Sequence, residues 1–152
     1  TYRVEWRYTP LVDCYELNQS AAEARRIPLD TPIAAHAHPG IVAGDGELVG
    51  PGLVDFYAVE LAEPTRVRLA VTKPDDEAML FELWDPATAT AIAGVDPLGA
   101  GGVELHSDEL ELAAGAHIVR VGHYASHPST WNLRDPLPAG WTGQYTLTVQ
   151  RR

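Results

Sequence analysis

The chain is poor in the residues that most often announce chemistry. Cys14 is the single cysteine among 152 residues. No internal disulfide or zinc–thiolate cluster can therefore form, and the thiol reads as a small buried apolar residue. Lys73 is the only lysine among 11 basic residues, which face 21 acidic ones and leave a net charge of −10. A field of that sign repels phosphate backbones and excludes nucleic acid as a partner. No apolar run approaches the ~20 residues of a membrane span. No Gly-x-Ser-x-Gly elbow is present, so the α/β-hydrolase signature is missing. Neither a long helical period nor a βαβ rhythm occurs, which disfavours α/β folds. No internal repeat is found. The first residue is Thr1 and not Met, so the lack of a visible signal peptide says nothing about export.

What is present is alternation. With 45% hydrophobic residues the composition is that of a globular chain, and 152 residues make one domain with one core the default. VDFYAVEL (residues 54–61), MLFELWDP (79–86), AGAHIVRVGHY (114–124) and GQYTLTV (143–149) alternate apolar and polar residues at period two. That pattern marks half-buried strands. It assigns Tyr57, Val59 and Leu61 to an inward face, as it does Val67, Leu69 and Val71, then Met79, Phe81 and Leu83. Leu110, Leu112, Val119, Val121, Tyr145, Leu147 and Val149 follow, while Arg66, Arg68, Thr146 and Thr148 point to solvent. Residues 1–9 (TYRVEWRYT) alternate too, with Tyr2, Val4, Trp6 and Tyr8 on one face, and stop before Pro10. Residues 18–26 (NQSAAEARR) are the one helix-like stretch, with Asn18 or Ser20 as caps, too short to stand alone. Residues 28–53 read as loop with one short strand near 33–38. Short strands with one apolar face each describe two packed antiparallel sheets.

Several constellations qualify for chemistry. His36 and His38 share a strand face, as do His117 and His123, but zinc needs three or four converging ligands and independent histidines are the better reading. Ser107–Asp108 and Ser126–His127 are local pairs without a third partner, and Asp75, Asp76 and Glu77 read as a hairpin tip, so no catalytic group is assigned. Residues 125–142 (ASHPSTWNLRDPLPAGWT) form a long connection, a type that is usually functional or disordered. Trp131, Arg134 and Trp141, with Leu133, Leu137 and the adjacent Tyr124, do not have the composition of disorder. Tryptophan and arginine dominate binding hot spots, so Tyr124, Trp131, Arg134 and Trp141 are the candidate ligand-binding residues. Folding back of both indoles to plug the open end of a sandwich is the competing reading.

The ordered set of strand motifs resembles the bacterial pre-peptidase C-terminal domain, a small secreted β-sandwich related to collagen-binding domains of secreted collagenases. The resemblance spans residues 15–149. YELNQSAAEARRIPL, Asp55-Phe56-Tyr57, LWDP, Gly115 followed by Ile118 to Val121, and Gln144 to Leu147 carry it, with His117 standing where tyrosine is usual. It implies an extracytoplasmic, non-catalytic module. Some related domains hold calcium between the opening segment and the Asp-aromatic strand, which places Glu16, Asn18 and Asp55 as candidate ligands. The second Asp that usually precedes Asp55 is replaced by Gly52 and Leu53. Without an ion, Asp55 would cap a turn and Glu16 would be solvated.

These observations predict an all-β chain: a single antiparallel β-sandwich of jelly-roll type, residues 1–152, with about eight strands. Residues 1–14 form an N-terminal extension strand. The functional expectation is a non-catalytic accessory or binding module of a secreted or cell-surface bacterial protein, with a protein or polysaccharide surface as partner and no enzyme activity. A structural subunit of an extracellular assembly, self-associating through its N-terminal strand, is the alternative, and a metal-dependent enzyme is the third. Calcium is the only cofactor foreseen.

Overall fold

A computed structural model describes residues 15, 18–36, 41–42, 48–49, 54–73, 79–88, 90–95, 104–123 and 144–152. In these residues a one-turn 3-10 helix (Ala21–Glu23) is followed by twelve strands. They are β1 (Arg25–Arg26), β2 (Ile33–His36), β3 (Ile41–Val42), β4 (Leu48–Val49), β5 (Val54–Leu61) and β6 (Thr65–Thr72). The remainder are β7 (Met79–Asp85), β8 (Thr90–Val95), β9 (Glu104–His106), β10 (Leu110–Leu112), β11 (Gly115–His123) and β12 (Gln144–Arg151). One sheet runs β1-β5-β11-β7-β8, the other β10-β6-β12-β2 with β9 also on β6, and β3 pairs β4 apart from both. The chain is thus an all-β sandwich. The strands beyond the foreseen number include three of two residues each (β1, β3 and β4), too short to leave a periodic signal.

The core lies between the sheets where alternation put it. Tyr57, Val59 and Leu61 from β5, Phe81 from β7 and Val119 and Val121 from β11 meet Val67, Leu69 and Val71 from β6 and Tyr145, Leu147 and Val149 from β12. Long-range register brings them together: Val119 is opposite both Tyr57 and Leu83, and Leu147 is opposite Val71 and Ile33. Leu110 and Leu112 pack against this cluster from the β6 edge.

Local chemistry shapes the turns. Asp85 accepts the Ala87 N–H (2.8 Å) and the Thr88 hydroxyl (2.9 Å), closing the β7–β8 hairpin at Pro86. Those donors hold its carboxyl below the usual carboxylate range. Gly115 opens β11 at φ 123°, where a Cβ would meet nothing within 4 Å. Backbone conformation rather than space therefore requires glycine there. Asp30 sits in the left-handed region at φ 58°, which Asp tolerates better than most residues. From there it accepts the Arg151 N–H (2.7 Å) and Nε (2.5 Å), clamping the turn before β2 to the end of β12.

Three expectations need correction. Residues 18–26 make a single 3-10 turn and the two-residue β1, which runs parallel to β5. A stretch this short gains more from pairing with a long strand than from an isolated helix. Asn18 is no cap; Ser20 stands at the N-cap of the turn, with its hydroxyl on the Glu23 carboxylate rather than on a backbone N–H. Asp75, Asp76 and Glu77, read as a hairpin tip, lie outside the described residues; the flanking strands β6 and β7 belong to different sheets. The short strand of the 28–53 stretch is present as β2, but β3 and β4 accompany it. The expected strand of residues 1–9 and Cys14 lie outside the described residues.

Candidate functional site

Two polar clusters are built into the first sheet, one on each of its faces. The inward cluster centres on Asp55, whose side chain is buried at 1% exposure rather than capping a turn. It lies two residues from Tyr57 on β5, so both point into the sandwich. Tyr145 of β12, from the facing sheet, donates its hydroxyl proton to Asp55 Oδ2. The Tyr57 and Tyr145 hydroxyls are 2.5 Å apart. With the Tyr145 proton committed to the carboxylate, Tyr57 is the donor in that second bond. Burial, reinforced by the Asp55 charge, raises the Tyr145 pKa well above its ordinary value. Two tyrosines and one carboxylate thus latch the two sheets together. Tyr15 packs edge-on against Tyr57 at 5.9 Å between ring centroids.

Asn18 lies beside this latch. Its carbonyl accepts the Phe56 N–H at 2.7 Å, fixing it to β5 next to Asp55. Its amide is buried at 1% exposure, and neither Oδ1 nor Nδ2 has a hydrogen-bond partner. A buried amide without partners costs about 1–3 kcal/mol. The backbone of Asn18 is thus tied to β5 at the residue after Asp55, while Glu16 lies outside the described residues.

The second cluster faces away from the core. Arg120 on β11 is opposite Phe56 on one side and Glu82 on the other. Its Nη1 donates to Glu82 Oε2 at 3.0 Å, with side-chain exposures of only 8% and 4%. The guanidinium stacks over the Trp84 ring at 4.7 Å, and Trp84 meets Phe56 edge-on at 6.1 Å. Leu80 on the same face is also buried. Burial fades along the face: Ala58, Ile118 and Trp84 are half-buried, and Glu60 and Ala116 are exposed. The half-buried pattern expected of MLFELWDP is thus wrong for β7, where residues 79–83 are buried on both faces. Sequence reading missed this pair because Glu82 and Arg120 sit at positions that alternation assigns to water. The available signal was a lone charge inside each of two strongly apolar strands, and charges are rarely buried unless paired.

The remaining candidates are separate. Ser107 spans the gap between β9 and β10: its N–H donates to Leu69 O and its hydroxyl accepts the Leu69 N–H, each at 2.9 Å, while donating to Asp108 O at 2.7 Å. Its hydroxyl serves the ladder, not a nucleophilic role. His117 bonds the Ala113 carbonyl at 2.8 Å, whereas His36 is on β2 of the other sheet and His123 ends β11. Among the described residues no three His, Cys, Asp or Glu side chains converge on a metal position, and no helix is long and apolar enough to cross a membrane. His38, Tyr124, Ser126, His127, Trp131, Arg134 and Trp141 lie outside the described residues.

No protein-family model matches the chain, and no curated protein matches it in sequence. Its fold is similar to that of the pre-peptidase C-terminal domain of a collagenase from Bacillus anthracis, known from a 1.0 Å crystal structure. The likeness has a TM-score of 0.53 at 19% identity and covers 83% of this chain and 93% of that one. At this identity the two chains share a fold, the jelly-roll-like sandwich that the strand motifs implied.

Proposed function

We propose that this chain is a non-catalytic accessory module of a secreted or cell-surface bacterial protein, and that it holds its parent to a protein or polysaccharide surface. The fold it shares with an accessory domain of a collagenase supports the reading. The first sheet suits the task. On its outward face the half-buried Trp84 is held in place by the buried Phe56 and Arg120, with Glu82 paired to that arginine. A rigid indole loses little entropy on contact and is a usual anchor of a binding surface. The test is co-sedimentation of the purified chain with insoluble collagen, cellulose and chitin, with soluble products assayed in parallel. Depletion by one of these solids without hydrolysis is expected. A chain that stays in solution with all three, or releases products from any, overturns the reading.

Asn18 favours calcium as part of the same reading. Calcium takes six to eight oxygens, and Asn18 Oδ1 is a buried oxygen without a hydrogen-bond partner in a residue whose backbone is bonded to β5 next to Asp55. Asn18 and Asp55 would hold the ion, with Glu16 as the third protein ligand. The ion would tie the segment before β1 to β5, and ligand binding to the folded state alone raises stability. Chelator should lower the Tm, added calcium should restore it, and Asn18→Leu should abolish the response. A melting curve unchanged between excess chelator and millimolar calcium removes the ion from the reading.

A further inference from the structure

Carboxylates outnumber basic side chains 21 to 11 on this chain, and its arginines mostly find one. Arg26 pairs with Glu60, Arg66 with Glu109 and Glu111, Arg120 with Glu82, and Arg151 with Asp30. Arg68 and Arg152 do not. Arg68 Nη2 donates to Gln150 Oε1 at 3.3 Å, and Arg152 Nη2 donates to the same oxygen at 2.7 Å. Neither guanidinium has a carboxylate partner among the described residues. Register sets the pair: Arg68 on β6 is opposite Gln150 on β12, and the Arg152 N–H continues the ladder to Arg66 O at 2.9 Å. Two cations are thus held side by side by one neutral oxygen. Arg68 is half-buried, and its Nε is buried without a hydrogen-bond partner. A charge that has lost hydration and has no counter-charge is costly. An oxyanion arriving from solvent offsets that cost.

The same face continues in hydroxyls. Beyond Arg68 and Gln150 come Ala70 opposite Thr148, then Thr72 opposite Thr146. Ala70 is buried, and the three threonines are half-buried or exposed. The only large exposed hydrophobic among the described residues is Ile92, on β8 of the other sheet. Protein partners are held at an apolar, aromatic-rich centre, which this face lacks. A sugar polymer offers hydroxyls to the threonines, and a carboxylate fits the planar fork of a guanidinium. The net charge of −10 opposes a dense polyanion at a distance, so the ligand carries its charge sparsely. We propose that Arg68 and Arg152, positioned by Gln150 and flanked by Thr146 and Thr148, bind a carboxylate-bearing polysaccharide of the polyuronate class. The site lies on the opposite sheet from Trp84 and stands independently of the surface proposed there.

Surface plasmon resonance of the whole chain over immobilised polygalacturonate, heparin, polyglutamate and neutral dextran tests this. Polygalacturonate should bind best, and high salt should release the chain. Arg68→Gln/Arg152→Gln should weaken that binding by about tenfold or more, the order expected for lost charged hydrogen bonds. Arg25→Gln/Arg26→Gln removes the same charge from β1 on the other sheet and should leave binding unchanged. Arg152→Gln alone, at an exposed residue, keeps the test valid if the first double substitution does not fold. Binding to polygalacturonate no stronger than to dextran overturns the proposal. So does an equal loss in the two double variants, which would show a general charge effect. Heparin or polyglutamate binding as tightly as polygalacturonate also overturns it, and polyglutamate alone would give the face to an acidic protein.

Discussion

The outward faces of the two sheets are opposites. On the β6–β12 sheet that face carries Arg66, Arg68, Thr72, Thr146, Thr148 and Gln150, half-buried or exposed, with Ala70 the buried residue among them. Its ion pair, Arg66 with Glu111, lies in water at 53% and 67% side-chain exposure. The hydrogen bond that Arg66 donates to Glu111, followed by the charge of that carboxylate, raises the Arg66 pKa. On the β5–β11–β7 sheet the same face carries Phe56, Leu80, Glu82 and Arg120, all buried, with a second ion pair among them. One pair is solvent-screened and worth little. The other has lost its hydration and must keep both partners. Alternation of polar and apolar residues therefore means different things on two sheets of one molecule. On one it separates inside from outside; on the other it separates an apolar interior from a polar one.

The largest effects should come from deleting core side chains, and they sharpen the contrast when the outward faces are included. Phe81→Ala or Leu147→Ala should cost about 2–5 kcal/mol, measured by denaturant unfolding, while Thr146→Ala and Arg68→Ala stay near zero. Leu80→Ala, at an outward position of the first sheet, should fall with the core group. If it falls with Thr146, that face is not an interior. The latch is next. Tyr145→Phe removes a hydrogen bond to a carboxylate and should cost about 1.5–3 kcal/mol. Because the folded chain resists Tyr145 ionisation while an unfolded tyrosine deprotonates near pH 10, stability is full below about pH 10 and lost as pH rises above it. Tyr145→Phe should flatten that alkaline loss, and an unchanged pH profile would place the tyrosine outside the latch. The smallest effect belongs to the solvent-exposed clamp. The Arg151 N–H and then its guanidinium lower the Asp30 pKa. The stability this carries is present above the unfolded carboxylate pKa of about 3.9 and lost as pH falls. Asp30→Asn should therefore lower the Tm slightly at pH 7 and not at pH 2.

Much of the fold was legible because burial here has period two. Val67, Leu69, Val71, Val119, Val121, Leu147 and Val149 are core residues that alternation names directly. Asn18 and Asp55 were singled out only through resemblance, since nothing local marks either polar residue as buried. Tyr57 and Tyr145 were read as core, but their bond to Asp55 depends on register between sequence positions 88 and 90 residues apart. Glu82 and Arg120 misled for the same reason. Each looks solvated alone, and only the β7–β11 register makes them partners. Long-range pairing sets these sites, and a single strand's pattern carries no record of its neighbour.

The contrast between the faces is tested most directly by paired double-mutant cycles, Glu82→Ala with Arg120→Ala and Arg66→Ala with Glu111→Ala, by denaturant unfolding at low and high salt. Each single change at Glu82 or Arg120 should cost about 3–5 kcal/mol by stranding a buried charge, the double change should cost far less than their sum, and the coupling should persist in salt. The Arg66–Glu111 cycle should show near-zero coupling that salt erases. Equal, salt-sensitive couplings in the two cycles would mean that both outward faces are ordinary surface.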